Sequence, residues 1–211
     1  MQESHKRVQW VYESTNNKEL EERYDQWAAD YDKDLAEEFA WNSPQNSAAV
    51  FSKHVDKSAR ILDAGAGTGL VGVCLAQDGY KNLVAMDLSL GMLQEAREKN
   101  VYNDFHQMAL GGTLDFQTDE FDAVISVGVF TQGHAPASSF DELVRITKPG
   151  GIIAFSLRVD TYETDGFKER QSALESSGKW KLAEVTEEFQ PLPKGEPEVF
   201  HQVWVYQLLP D

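Results

Sequence analysis

The sequence predicts an α/β protein: a doubly wound seven-stranded sheet, mostly parallel, that ends in an antiparallel C-terminal hairpin and is preceded by an N-terminal helical lid. Three observations carry this expectation. From residue 59 onward, short apolar runs alternate with helix-length segments. The first run leads into Asp63-Ala64-Gly65-Ala66-Gly67-Thr68-Gly69, three alternate glycines between a strand and a helix. The second run ends at Asp87, 18 residues beyond Gly69.

The elements follow in order. The first 50 residues are rich in charge and aromatics and read as an appendage to the core. Within them Leu20, Tyr24, Trp27, Tyr31 and Leu35 recur at steps of four, three, four and four, which places them on one helical face. Glu21, Glu22, Asp25, Asp30 and Asp32 occupy the other faces. Two readings fit this stripe: a helix packed on the core, or a lid whose aromatics close over a ligand. Residues 41–47, with Asn42, Ser43, Pro44 and Asn46, read as a loop.

Strands are expected near 59–64, 82–87, 103–108, 121–127 and 150–157, with a helix opening over Leu70 to Gln77. Ser89 can cap a helix from Leu90 to Asn100, and Ser138 or Ser139 one that runs through Ile146. Lys148-Pro149-Gly150-Gly151 then turns into the fifth strand. A polar, partly helical stretch extends from Asp160 to Gly178. Two runs of strand character, Trp180 to Phe189 and Val199 to Leu208, pair around Pro191-Leu192-Pro193-Lys194-Gly195. The chain has no repeat or low-complexity segment and reads as one domain over 1–211, divided into a lid (1–50), a binding core (51–160) and a substrate-side region with the hairpin (161–211).

Composition narrows the function classes. Thirty-five acids against 19 bases give a formal charge of −16, which repels a phosphate backbone, so no nucleic-acid partner is expected. No apolar run reaches the 18 or more residues of a membrane span, and the polar start lacks a leader's apolar segment, so no membrane partner and a cytoplasmic setting are expected. Cys74 is the single cysteine and falls inside the helix after the glycine loop, where a small buried apolar role is expected. The histidines at 5, 54, 106, 134 and 201 make no metal-ligand spacing, so no metal is expected. Monomer and homodimer are both open.

The glycine loop defines the chemistry. Its glycines permit a tight turn and close approach of a ligand, and a carboxylate at the tip of the next strand can accept two hydrogen bonds from a ribose. The ligand should contain adenosine. A nicotinamide dinucleotide is the competing choice, but its loop requires the third glycine at position 70, where this chain has Leu70 and places Gly69 one residue early. A purely structural use of Gly65 and Gly69, letting helix pack on strand, is the remaining alternative.

With these residues in view, the chain resembles a class I S-adenosylmethionine-dependent methyltransferase along nearly its whole length, and so a Rossmann-like fold. The glycine motif, Asp87-Leu88-Ser89-Leu90-Gly91-Met92-Leu93, the fourth strand Phe121 to Ser126 and the turn Arg145-Ile146-Thr147-Lys148-Pro149-Gly150-Gly151 match the family in order. Tyr24-Asp25-Gln26-Trp27-Ala28-Ala29-Asp30-Tyr31-Asp32 is similar to the lid of one branch, and Thr131 to Pro136 to the fourth-strand loop of the Williams-Beuren syndrome region methyltransferase-like proteins. The resemblance implies S-adenosylmethionine as cofactor, S-adenosylhomocysteine as product, and methyl transfer to a small-molecule acceptor. It implies cofactor contacts from Tyr24, Trp27, Tyr31, Asp63, Gly65, Ala66, Gly67, Thr68, Gly69, Asp87, Leu88, Met92, Ala109, Leu110 and Val127. The acceptor side would use Tyr31, His134, the loop from Val127 to Pro136, and the stretch from Arg158 to Gly178 with Arg158 and Tyr162.

The chain departs from the family where an acid or polar residue usually holds the adenine amino group: the position reads Met108-Ala109-Leu110. Backbone groups of Ala109 and Leu110 are the favoured substitute, with a displaced Asp104 or Asp115 as the alternative. No catalytic residue is assigned, because thiols and other good nucleophiles need little beyond alignment. His134 is either a base or a brace for its turn. A cofactor-binding protein without transfer activity, and cyclisation or lyase chemistry, are the alternative functions.

Overall fold

The computed structural model describes residues 3–131 and 133–210. The N-terminal segment forms α1 (Glu3–Tyr12), α2 (Asn17–Asp34), a π-helical turn (Leu35–Phe39) and α3 (Ser43–Phe51). There follow β1 (Ile61–Ala64), α4 (Leu70–Gln77), β2 (Leu83–Asp87), α5 (Leu90–Glu98), β3 (Asp104–Gln107), β4 (Phe121–Phe130), α6 (Ser139–Ile146) and β5 (Thr147–Arg158). Two short helices, α7 (Val159–Thr164) and α8 (Phe167–Ser176), precede β6 (Trp180–Val185) and β7 (His201–Leu208).

The strands form one seven-stranded sheet in the order β3-β2-β1-β4-β5-β7-β6. The first five are parallel, and β7 is antiparallel to both β5 and β6. The chain winds outward from β1 through β2 to β3, then returns to the opposite side of β1 with β4. The carboxyl ends of β1 and β4 therefore diverge into a crevice, the place where such sheets take ligands.

Both faces of the sheet are covered, which explains the nearly continuous apolar runs. Leu62, Val84, Val124, Ile153 and Tyr206 point to one side with Phe140 and Leu143 of α6. Ile61, Leu83, Ile125, Ala154 and Val205 point to the other, against α3 and α4 through Phe51, Val71 and Leu75.

Several expectations are corrected at their edges. Residues 41–47 are largely helical, because Pro44 serves in the first turn of α3, where its missing N–H costs nothing. Strand β4 runs to Phe130, three residues beyond its expected end, and shifts register between Ser126 and Phe130 around Gly128 at φ +74°. Such a bulge re-aims side chains at the strand's tip. Strand β5 starts at Thr147 and absorbs the Pro149 to Gly151 turn as an irregularity between its pairings with Phe121 and Ala123. The hairpin strands are shorter than expected, leaving a long connection over 186–200 with one isolated bridge, Phe189 to His201. Helix α2 is capped reciprocally: Asn16 accepts from the Glu19 N–H, and the Glu19 carboxylate accepts from the Thr15 N–H and hydroxyl, each near 3 Å.

Candidate functional site

The glycine loop leaves β1 with Gly65, Gly67 and Gly69 at φ +84°, +54° and +90°. The backbone N–H groups of Gly65 and Ala66 both donate to the Met86 carbonyl, at 2.7 and 2.9 Å, and tie the loop to β2. A Cβ at Gly65 would lie 2.3 Å from Val129, so β4 closes against this residue, whereas a Cβ at Gly67 would meet nothing within 4 Å. The loop thus presents open backbone at Gly67. Asp87, 6% exposed at the tip of β2, accepts from the Gly67 N–H at 2.8 Å and from the Ser89 N–H at 2.9 Å. Burial pushes its carboxyl up to about 6.

Helix α2 lies across the crevice and is latched at several points. Asp25 accepts from the Ser89 hydroxyl at 2.5 Å and from the Gly91 N–H at 2.8 Å, at the start of α5. Asp32 accepts from the Thr68 hydroxyl and pairs with Lys99 at 2.6 Å. Glu21 accepts from the Gln107 amide at 2.8 Å. The Tyr24 hydroxyl lies 2.9 Å from His134 Nε2. Leu20, Trp27 and Leu35 are buried with Val8 and Val11 of α1, while Tyr24 and Tyr31 face the crevice. The stripe thus divides between the two alternative readings, packing on α1 along one edge and lining the crevice along the other. Burial raises the Tyr24 and Tyr31 phenols well above their usual range, so both stay neutral hydrogen-bonding groups.

The space between loop, sheet and roof is about 850 Å³ counting its mouth. Its wall brings together most of the expected residues: Tyr24, Tyr31, the loop from Gly65 to Thr68, Asp87, Leu88, Met92, Ala109, Leu110, Val127 and His134.

Four others lie off that wall. Asp63 is fully buried behind the loop, where it accepts from the Tyr102 hydroxyl at 2.5 Å. Its second oxygen has no hydrogen-bond partner among the described residues, and desolvation pushes the carboxyl up to about 7. Trp27 packs edge-on to Tyr31 with ring centres 4.7 Å apart and donates its indole N–H to Asp34 at 2.8 Å, one layer back. Gly69 is the left-handed cap of α4, pressed between Tyr102 and Ala96. Arg158 forms two bonds to Asp160, at 2.7 and 2.6 Å, away from the cavity. Asp104 and Asp115 do not line the cavity either. Ala109 and Leu110 do, which leaves their main chain as the polar surface at that end. Gln132 of the loop after β4 lies outside the described residues.

Trp41 belongs to the wall and was not anticipated, while Val129 and Met108 join it from the two stretches expected beside the ligand, Val127 to Pro136 and Met108 to Leu110. The signal for Val129 was Gly128 inside a strand pattern, which marks a bulge. Trp41 enters only because the π-helical turn and Ala40 at φ +54° redirect the chain after α2. Among the described residues, no group of three or more acids, histidines or cysteines is placed to hold a metal, and no helix is long and apolar enough to cross a membrane.

A switch-point crevice with a glycine loop, an acid at the tip of β2 and a helical roof defines a nucleotide-cofactor site of the doubly wound class. The comparisons specify it. A family model described as a methyltransferase domain matches residues 62–155. Methyltransferase-like protein 27 of Homo sapiens is 34% identical over 166 residues, covering 75% of this chain and 66% of that protein. Demethylmenaquinone methyltransferase of Clavibacter sepedonicus is 41% identical over 97 residues, 44% of this chain and 39% of that one. The chain thus spans between two fifths and two thirds of the length of these curated relatives. An S-adenosylmethionine-dependent methyltransferase from Mesorhizobium loti has the same fold, with a TM-score of 0.57, 18% identity, and coverage of 78% of this chain and 99% of that one. The chain belongs to the class I S-adenosylmethionine-dependent methyltransferases, and its cofactor is S-adenosylmethionine.

Proposed function

We propose that the protein transfers a methyl group from S-adenosylmethionine to a small-molecule acceptor. The supporting observation is the roof: α2 covers the crevice with tyrosine faces and is latched by Asp25 and Asp32, so the reaction centre lies beneath a helix and opens through a mouth rather than along an open groove. A covered pocket suits a compact acceptor better than an extended polymer.

The residues present fit the cofactor. The open backbone at Gly67 leaves a cradle that any Cβ would begin to fill. The main chain from Gly65 to Thr68 would hold the amino-acid end, and Asp87 would accept from the ribose hydroxyls. Leu88 and Met92 would flank the adenine, with the main chain of Ala109 and Leu110 meeting its amino group. The cofactor supplies an electrophilic methyl group on a sulfonium and leaves as S-adenosylhomocysteine. Tyr24 and Tyr31 bring ring faces to that charge, each worth roughly 0.5–2 kcal/mol when well placed, and keep water out. Alignment of the acceptor by the roof and β4 can contribute on the order of 7–11 kcal/mol toward the barrier. His134, held against the Tyr24 hydroxyl, can take a proton from an acceptor hydroxyl or thiol. Asp63, Trp27 and Gly69 act behind this layer by fixing Tyr102, Tyr31 and the start of α4.

The test is transfer of labelled methyl from the cofactor into a cell extract divided by ultrafiltration. Label entering the small-molecule fraction and not the macromolecular fraction is the expected result. Label confined to protein would overturn the small-molecule reading while leaving the family assignment in place.

A further inference from the structure

Beside the cofactor cavity lies a second chamber. It shares Tyr24, Tyr31, Trp41, Gly128 and His134 with the first, so the two meet at these side chains. Its far wall comes from elements outside the glycine-loop core: Val8, Val11 and Tyr12 of α1, and Pro191 and Leu192 of the connection between β6 and β7.

That connection is firmly seated. A Cβ at Gly195 would lie 1.9 Å from the Phe39 ring, and the Asn42 N–H and side-chain amide donate to the carbonyls of Pro191 and Gln190 at 3.1 and 3.0 Å. The chamber is walled mainly by aromatic and aliphatic side chains. His201, 8% exposed, opens β7 at its edge, and its Nδ1 has no hydrogen-bond partner among the described residues. Burial and the neighbouring Arg158 charge push this imidazole down to about 4, so it is neutral at physiological pH. A buried polar atom in that condition calls for a partner, and a ligand in the chamber can supply one. Thr131 and Glu196 also border the space, and Glu196 and Arg158 feel one another's charge, with Arg158 engaged by Asp160.

We propose that this chamber is the acceptor site and takes an uncharged molecule of aromatic size, whose polar group bonds to His201 and whose nucleophilic atom lies toward His134. The assignment rests on the transferase reading and deepens it. It also moves the acceptor contacts from the stretch between Arg158 and Gly178 to α1 and the connection before β7. Flat rings suit a wall that contains Tyr12, Tyr24, Trp27, Tyr31 and Trp41. An ion would lose its hydration in this chamber, and the Tyr24 and Tyr31 faces that could repay a cation would be turned to the cofactor's sulfonium.

The experiment is a fluorine-observed NMR titration of the S-adenosylhomocysteine complex with 4-fluorophenol, 4-fluorobenzoate and 4-fluorobenzylamine. The phenol should bind about tenfold tighter than either ion. His201→Phe, which keeps the ring and removes the polar atoms, should weaken the phenol about fivefold and leave S-adenosylhomocysteine affinity unchanged. Val11→Trp, which fills the chamber from α1, should weaken it about tenfold with the circular dichroism spectrum preserved. Equal binding of the three probes, preference for an ion, or indifference to both substitutions would overturn the acceptor chamber alone. Failure of the unaltered protein to bind S-adenosylhomocysteine would overturn the chamber together with the transferase reading beneath it.

Discussion

The two halves of the proposed cofactor site are built differently. The floor, from β1 through the glycine loop to β2, is main chain held by main chain: three positive-φ glycines, two N–H groups on the Met86 carbonyl, and a carboxylate at Asp87 that gathers two more. The roof is side chain held by side chain, with Asp25, Asp32 and Glu21 reaching from α2 to groups on α5, the loop and β3. Floor geometry is local in sequence. Roof geometry depends on residues 36 to 86 positions apart finding each other.

The largest effects should come from the floor. Gly65→Ala places a Cβ 2.3 Å from Val129 at φ +84° and should cost about 2–4 kcal/mol in chemical denaturation. Gly67→Ala meets no atom within 4 Å and should cost only about 1 kcal/mol, yet it should abolish cofactor binding by entering the cradle. A Gly67→Ala protein that binds normally would break the account of the floor.

The two buried acids of the floor sharpen the contrast further. Asp87→Asn should weaken S-adenosylhomocysteine by about 1.5–3 kcal/mol in calorimetry if, as proposed, this cavity-lining carboxylate accepts from the ribose. Asp63→Asn keeps an oxygen for the Tyr102 hydroxyl and relieves a buried charge, so it should stabilise the free protein by about 1–3 kcal/mol at pH 8 and alter binding less.

The pH dependence follows from the same pair. Both carboxyls have folded values raised above the ordinary 3.8, to about 7 for Asp63 and about 6 for Asp87. The folded state therefore holds protons that the unfolded chain has released, and the stability they contribute is lost as pH rises through 6 to 7. Cofactor affinity should run the other way, improving as pH rises through about 6 and Asp87 ionises. Thermal melts at pH 5.5 and 7.5, beside titrations at the same values, would show the opposed slopes, and Asp63→Asn should flatten the first.

Roof substitutions should have the smallest effect on folding. Asp25→Ala removes the bonds from the Ser89 hydroxyl and the Gly91 N–H and should cost about 1 kcal/mol, with faster amide exchange along α2. Turnover should fall more than cofactor affinity. An unchanged exchange pattern would show that α2 is held by its apolar face alone.

Legibility divides along the same line. The succession of strands and helices, the glycine loop after β1 and the Ser89 cap were readable because each is written in a short stretch of sequence, whereas the order of strands in the sheet is set by pairings tens of residues apart. The placement of Tyr24 and Tyr31 was readable from helical periodicity. The division of labour within the stripe was not, since what faces Trp27 is set by α1 and by the connection over 186–200. Asp63 read as a ligand contact because its motif position says nothing of Tyr102, 39 residues away, which occupies it from behind. Trp41 and the second chamber arise from the π-helical turn and a bulge in β4, local departures that no period announces.

The most direct test of the central claim is calorimetric titration of the protein with S-adenosylmethionine, S-adenosylhomocysteine and a nicotinamide dinucleotide, in parallel with the Gly67→Ala variant. The account predicts micromolar binding of the two adenosyl ligands alone, lost in the variant while its fold persists. Absence of adenosyl binding in the unaltered protein, or equal binding by the variant, would contradict the assignment of the switch-point crevice as the cofactor site.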